Sequence, residues 1–385
     1  MTRAFALAAA LLALSPRPGL AIGPEADKLV LQGLEAGYAL DFASSSAAFA
    51  AVDRLEPQHP IGPFFLASLK WMELSLNVDE PGKTEALEPE FDRLMGEAFA
   101  RAQRMKEKNP RDAEAYFYLG AAYGMRGRWK IVKRQWIRAA SDGWKGYKNL
   151  KTAVALDPAL YDAYLGLGMY DYYSDTMPGI LKFAASLIVR GDKQRGLRFV
   201  NIAVEKGHYS AMEAQLFLVG VYTTYEKKPE HAILILHDLR LERADNLFLL
   251  YLEVQARKQA RDWVGAVDAA EVLALRSRKT PYARPFQTMF DLALVEVYLG
   301  AKDYAKARDA ATSCIAEAPD PRKGGVTFCL VRRAEAFDLL SQRRAAMADY
   351  SAADGRPDFW DTKGKARRGL QRPATYESLL KEMIE

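Results

Sequence analysis

The side chains that could carry chemistry are few and scattered. Four histidines occur, His59, His208, His231 and His237, and only the last two are neighbours in sequence. Six residues apart, they fall on different faces of a helix, which is unsuited to a shared metal ion. Gly166 and Gly168 mimic the start of a dinucleotide loop, but the third glycine is missing and no strand precedes them. Glu377-Ser378 matches the acid–serine pair of some wall-cleaving enzymes, yet seven residues follow it, too few for a catalytic domain. Phosphate loops, serine elbows and HExxH pairs are absent from the sequence. The reading is therefore a non-enzyme without cofactor or metal. Cys314 and Cys329 are the only cysteines, and their pairing is left open between a disulfide and two buried thiols.

What could position a binding surface is a helical pattern that recurs along the chain. A small residue is followed four on by a larger one, three later by another small or apolar residue, and often five later by proline. Ala98, Ala102, Met105, Pro110 show it, as do Gly146, Leu150, Ala153, Pro158 and Ala307, Ala311, Cys314, Pro319. Sets beginning at Ala48, Gly196, Ala232, Ala266 and Ala345 complete the series of eight. Each set marks one stripe of a helix, the small residue admitting a close neighbour and the proline starting the next helix. Between them lie partner helices with an aromatic or apolar residue, then Leu-Gly, then tyrosine, as in Tyr116-Leu119-Gly120-Tyr123.

Over residues 26–357 this pattern resembles the tetratricopeptide repeat family, whose consensus is W-x2-L-G-x2-Y…A-x3-F…P. The resemblance implies an all-α, right-handed superhelical solenoid of about eight antiparallel hairpins. The small anchors lie 50, 48 and 50 residues apart in the first half and 36, 34, 41 and 38 apart in the second. We divide the chain into a signal peptide (1–21), long-hairpin repeats with insertions (22–208), regular repeats (209–357) and C-terminal capping helices (358–385), broken at Gly364 and Pro373. The expected loop of the second hairpin is Asn77 to Pro89. The run YDAYLGLGMYDYY at 161–173 and the stretch 178–197 resemble bacterial relatives of the tetratricopeptide repeat 39 (inclusion-body clearance) proteins, which implies binding or clearance and no chemistry.

Arg3, the apolar run 4–14 and the small residues Gly19 and Ala21 read as a cleavable secretory signal without a lipoprotein cysteine. No later stretch reaches the ~18–20 apolar residues of a membrane span. The expected location is periplasmic or secreted. Loss of the signal lowers the net charge from +5 to +3, too mild to imply nucleic acid.

Two surfaces follow. If first helices line the concave wall, Met169, Tyr172, Tyr173, Phe217, Val221, Tyr225, Phe248, Tyr251, Gln255 and Lys258 face a groove suited to an apolar or aromatic protein segment. The insertion 126–145 carries Arg126, Arg128, Lys130, Lys133, Arg134, Arg138 and Lys145 against one acid, interleaved with Trp129, Trp136 and Trp144. With the apolar stretch 180–189 it could meet an anionic membrane surface. The tryptophan spacing of seven to eight equally suits inward packing in lengthened hairpins.

Overall fold

The computed structural model describes residues 22–77, 80, 82–176 and 191–384. The signal segment 1–21 and the apolar stretch 180–189 lie outside them. The described residues form eighteen α-helices and no strand. They are α1 (Pro24–Tyr38), α2 (Phe42–Leu55), α3 (Ile61–Leu76), α4 (Lys83–Lys108), α5 (Ala113–Val132), α6 (Trp136–Leu156), α7 (Ala163–Thr176), α8 (Lys193–Lys206) and α9 (Ala211–Gly220). A π-turn (Val221–Tyr225) follows, then α10 (Pro229–Glu242), α11 (Leu247–Gln259), α12 (Trp263–Ser277), α13 (Gln287–Gly300) and α14 (Tyr304–Glu317). The chain closes with α15 (Gly324–Leu339), α16 (Arg343–Asp354), α17 (Thr362–Gln371) and α18 (Tyr376–Ile384).

From α1 to α17 each helix packs on the next, and several odd-numbered helices also touch the following odd one: α3 on α5, α5 on α7, α11 on α13, α13 on α15. That is the packing of stacked helical hairpins, with the first helices in contact along two stretches, α3 to α7 and α11 to α17. The fold class is thus the all-α solenoid of helical hairpins expected from the sequence.

One turn builds most of the hairpins. The first helix ends in a residue with left-handed backbone, and the next amide bonds back five residues to close the last helical turn. Leu40 (φ 70°), Arg134 (φ 55°), Arg261 (φ 58°), Lys302 (φ 65°) and Ser341 (φ 62°) occupy that position. The returning bonds are Asp41 to Ala36, Gln135 to Lys130, Asp262 to Arg257, Asp303 to Tyr298 and Gln342 to Phe337, at 2.8–3.0 Å. Where the residue after the turn is aspartate, its carboxylate accepts from a first-turn amide of the second helix: Ser44, Gly265 and Lys306 donate to Asp41, Asp262 and Asp303. The cap satisfies an amide that has no partner within the helix. In the hairpin of α9 and α10 the returning bond spans six residues, Lys228 to Tyr222, because the π-turn adds one.

The stripes read from sequence are the buried ones in α4, α6, α8, α10, α12 and α14. Ala98, Ala102, Leu150, Ala153, Val200, Ala203, Ala266, Ala270, Ala307 and Ala311 are all essentially inaccessible. Two registers differ. In α2 the buried stripe is Ser45, Phe49, Val52, because Gly33 and Gly37 of α1 admit Phe49 and Ser45, and Leu55 is 46% exposed. In α16 it is Ala346, Tyr350, Ala353, one residue beyond the expected set.

The long third hairpin keeps the short turn, and its extra residues lengthen the helices. Its two helices run 20 and 21 residues, against 13 and 15 in α11 and α12. About seven residues make two helical turns, so the added length leaves each buried face in phase. The expected loop from Asn77 to Pro89 is shorter than read, since α4 begins at Lys83 and carries Pro89 inside it. Pro89 lies in the second turn, where a missing amide costs one backbone bond without ending the helix. Gly364 likewise sits within α17, and the break falls at 372–375 around Pro373.

The first helix is clasped by the middle of the array, and the end of α3 by the residue before α15. Tyr209 and His208, before α9, bond Asp27 of α1 at 2.6 and 2.7 Å. Tyr38 donates to Glu213, Arg243 bonds Glu35, and Lys323 donates to Asn77 at 2.9 Å. Leu40 is buried in one cluster with Leu247, Leu250 and Phe286.

Candidate functional site

Of the ten groove residues, one group converges and the rest are absorbed by packing. Tyr172 and Tyr173 of α7 meet Phe217 of α9 and Tyr225 of the π-turn edge to face, with ring centroids 5.5–5.9 Å apart. Tyr172 is fully buried, and Phe217 and Val221 nearly so. The Tyr172 hydroxyl donates to Glu226 at 2.6 Å, and burial followed by that carboxylate pushes its pKa well up. Tyr173 is half-buried and Tyr225 is 48% exposed, so these two rings present the cluster to solvent. Met169 borders it, its sulfur 2.9 Å from the Arg128 guanidinium, which also holds Glu213 at 2.9 Å.

The π-turn aims Tyr225. The added residue rotates the end of the helix, and such bulges recur at functional sites. Nothing in the spacing announces it.

The remaining groove residues serve the interior. Phe248 and Tyr251 pack against the Leu247–Phe286 cluster, Tyr251 lying 5.9 Å from Phe290, and Gln255 is half-buried. Lys258 enters a buried ionic network. Its ammonium lies 2.5 Å from Glu296 of α13, which also accepts from Arg332 of α15 at 2.9 Å. Arg332 bonds Glu335 at 2.8 Å and approaches Glu382 of α18 at 3.5 Å, while Lys365 of α17 pairs with Glu382. Burial opposes the charge on Glu296, but Lys258 and Arg332 outweigh it and hold its carboxyl down to about 2. Sequence reading missed this network. Its signal was an acid in the apolar run 293–299 and an arginine in the run 328–336, both on first helices.

The basic insertion is largely neutralised. Arg126 and Lys130 both bind Asp142, at 2.8 and 2.5 Å; Lys133 binds Glu88, and Arg128 belongs to the aromatic cluster. Trp129 is buried and stacks on Phe91 at 4.0 Å, while the half-buried Trp144 stacks on Tyr147 of its own helix at 5.9 Å. Arg134 and Arg138 remain exposed at the tip of the hairpin, beside Ile131 (43% exposed), Trp136 (46%) and Ile137 (87%).

Cys314 and Cys329 form a disulfide joining α14 to α15, with Cα atoms 6.4 Å apart. Among the described residues no three His, Cys, Asp or Glu side chains could share a metal ion. His59 is buried, its ring between the Ile61 amide and Glu114, and His208 holds Asp27. No described helix is long and apolar enough to cross a membrane.

No family model and no curated protein matches the chain. Among solved structures, a tetratricopeptide repeat protein from Parabacteroides merdae ATCC 43184 aligns over 94% of this chain and 100% of its own, at 11% identity and TM-score 0.29. The tetratricopeptide domain of P58(IPK) aligns over 93% and 98%, at 14% identity and TM-score 0.21. Both are similar to this chain in being helical repeats. The class stands on the hairpin geometry: the described residues form an all-α solenoid of stacked helical hairpins.

Proposed function

We propose that this protein is an exported, non-catalytic scaffold that captures an apolar or aromatic segment of a protein partner. The observation that carries the reading is the edge-to-face aromatic cluster ending in the half-exposed Tyr225 on a π-turn. Rigid rings present contact area at small entropic cost, and their neighbours Met169 and Arg128 add adaptable contacts. Export is supported by the leader-like first 21 residues and by the disulfide, which suits an oxidising compartment. The fully buried Tyr172 supports the cluster from beneath and is a poor probe of binding. The informative variants are Tyr173→Ala and Tyr225→Ala. Each should lower the yield of a partner crosslinked from envelope extract by at least about tenfold, the loss of one hot-spot ring, with the melting curve unchanged for Tyr225→Ala. An unaltered yield moves the capture site off this face.

A second reading rests on the hairpin tip. Ile131, Trp136 and Ile137 project beside Arg134 and Arg138, an apolar point ringed by cations of the kind that seats in an anionic bilayer surface. The expected result is salt-sensitive co-sedimentation with vesicles containing phosphatidylglycerol and none with phosphatidylcholine alone. Trp136→Ala with Ile137→Ser should weaken it by about tenfold or more, roughly 1.4 kcal/mol. Equal sedimentation with both vesicle types, or none, rules the tip out as an anchor.

A further inference from the structure

The last helix does not cap the array. That place is taken by α17, which packs along α16, its Ala366 buried against Tyr350 and Ala353. After Pro373 the chain turns back, and α18 lies on the wall of first helices, touching α11. Its Leu379 and Met383, 2% and 7% exposed, are buried with Val295 and Leu299 of α13 and Ala336 of α15. The Tyr376 hydroxyl donates to the Gly300 carbonyl at 2.8 Å, and Glu382 reaches Arg332 and Lys365.

The wall beneath offers that carboxylate an anchor. Lys258 and Arg332 are balanced on the wall by Glu296 and Glu335, and Glu382 approaches Arg332 while pairing with Lys365 of α17. Arg332 is 2% exposed, so little solvent screens that attraction. At nine residues α18 is too short to be helical by itself, so its order depends on docking. A short tethered helix held by two apolar side chains and one carboxylate is a ligand held in place by its tether.

We propose that the wall formed by α11, α13 and α15 is a receptor for a partner's amphipathic acidic helix, and that α18 is the occupant which keeps it closed. The partner helix carries apolar residues at i and i+4 and a carboxylate at i+3, the pattern of Leu379, Glu382 and Met383. Binding displaces α18, so the tether sets the threshold an incoming helix must exceed. This receptor shares no residue with the Tyr225 cluster and stands independently of it.

The test uses the full chain and a fluorescein-labelled peptide of residues 374–384. In the Leu379→Asp, Met383→Asp protein, whose own α18 is undocked, the peptide should bind at least tenfold tighter than in wild type. The same peptide carrying Glu382→Lys should lose at least tenfold of that affinity. Absence of binding to the folded variant, or equal binding of the Glu382→Lys peptide, overturns the proposal. Amide hydrogen exchange on the wild-type protein gives a second measurement that does not depend on the variant folding. Amides of α18 should exchange at least a hundredfold faster than those of α13 and α15, and equal protection refutes the displaceable occupant.

Discussion

Replacing Glu296 with glutamine lowers the unfolding free energy by about 3–5 kcal/mol, the usual cost of stripping one partner from a buried ion network. The reason is electrostatic balance. Lys258, Arg332 and Lys365 are matched by Glu296, Glu335 and Glu382, and Glu296 joins the first two directly. Neutralising it strips Lys258 of its carboxylate and leaves Arg332 only Glu335 and Glu382. Removing Lys258 and Glu296 together, both to methionine, restores the balance and should cost less than half as much. The pH dependence separates charge from shape. Glu296 has a folded pKa of about 2 against 4.5 unperturbed, so its stabilisation is complete above pH 4.5. It is lost as pH falls from 4.5 towards 2, where the wild-type residue gains a proton only on unfolding. The gap between wild type and Glu296→Gln therefore narrows across that window. Urea denaturation at pH 7, 4 and 2.5 reads all three effects, and a gap that stays constant with pH assigns the loss to packing.

Removing the disulfide is the other large effect. The bridge closes a loop of 15 residues, and in the chain-entropy account such a loop stabilises by about 3 kcal/mol. Both sulfur-bearing residues are inaccessible to solvent, so the bridge persists until the α14–α15 contact opens. The Cys314→Ala, Cys329→Ala protein should lose about 3 kcal/mol in urea, and wild type in strong reductant should lose nearly the same. Thiol titration of the unfolded, unreduced protein should find no free thiol, and two after reduction. Finding two at the outset removes the bridge from the account.

The repeat stripes were legible because they obey one short rule: a small residue every hairpin, with apolar residues four and seven on. Ala266, Ala270 and Leu273 satisfy it and are buried. The rule misled where two choices fit. In α2 both Ser45 and Ala48 are small enough to serve as anchor, and the decision rests with Gly33 on the facing helix, which only a folded hairpin reveals. The aromatic cluster was legible in part, since spacing placed Tyr172, Tyr173, Phe217 and Tyr225 on first helices. Which ring faces water depends on one extra residue in the π-turn, and periodicity averages that away. Lys258 lies on the wall of first helices as read, but it is covered, its burial decided by Glu296 and Arg332, 38 and 74 positions on, and by a helix returning from the end of the chain. Similarly, counting cations in 126–145 overstated the free charge, since Asp142 holds both Arg126 and Lys130 across the hairpin, and Lys133 and Arg128 find Glu88 and Glu213 outside the stretch.

The bonds between α1 and the later repeats carry a cost in time. A chain of stacked hairpins can form each unit as it emerges, since every unit needs only its neighbour. Here Tyr38 waits for a partner 175 residues later and Glu35 for one 208 later. At about 5–20 residues per second of synthesis, that is roughly 10–40 s in which Leu40 and Phe42 are made but uncovered. The first hairpin is therefore the segment that a holding chaperone would meet. Once closed, the same bonds keep α1 from fraying alone, so it should open with the repeats it clasps.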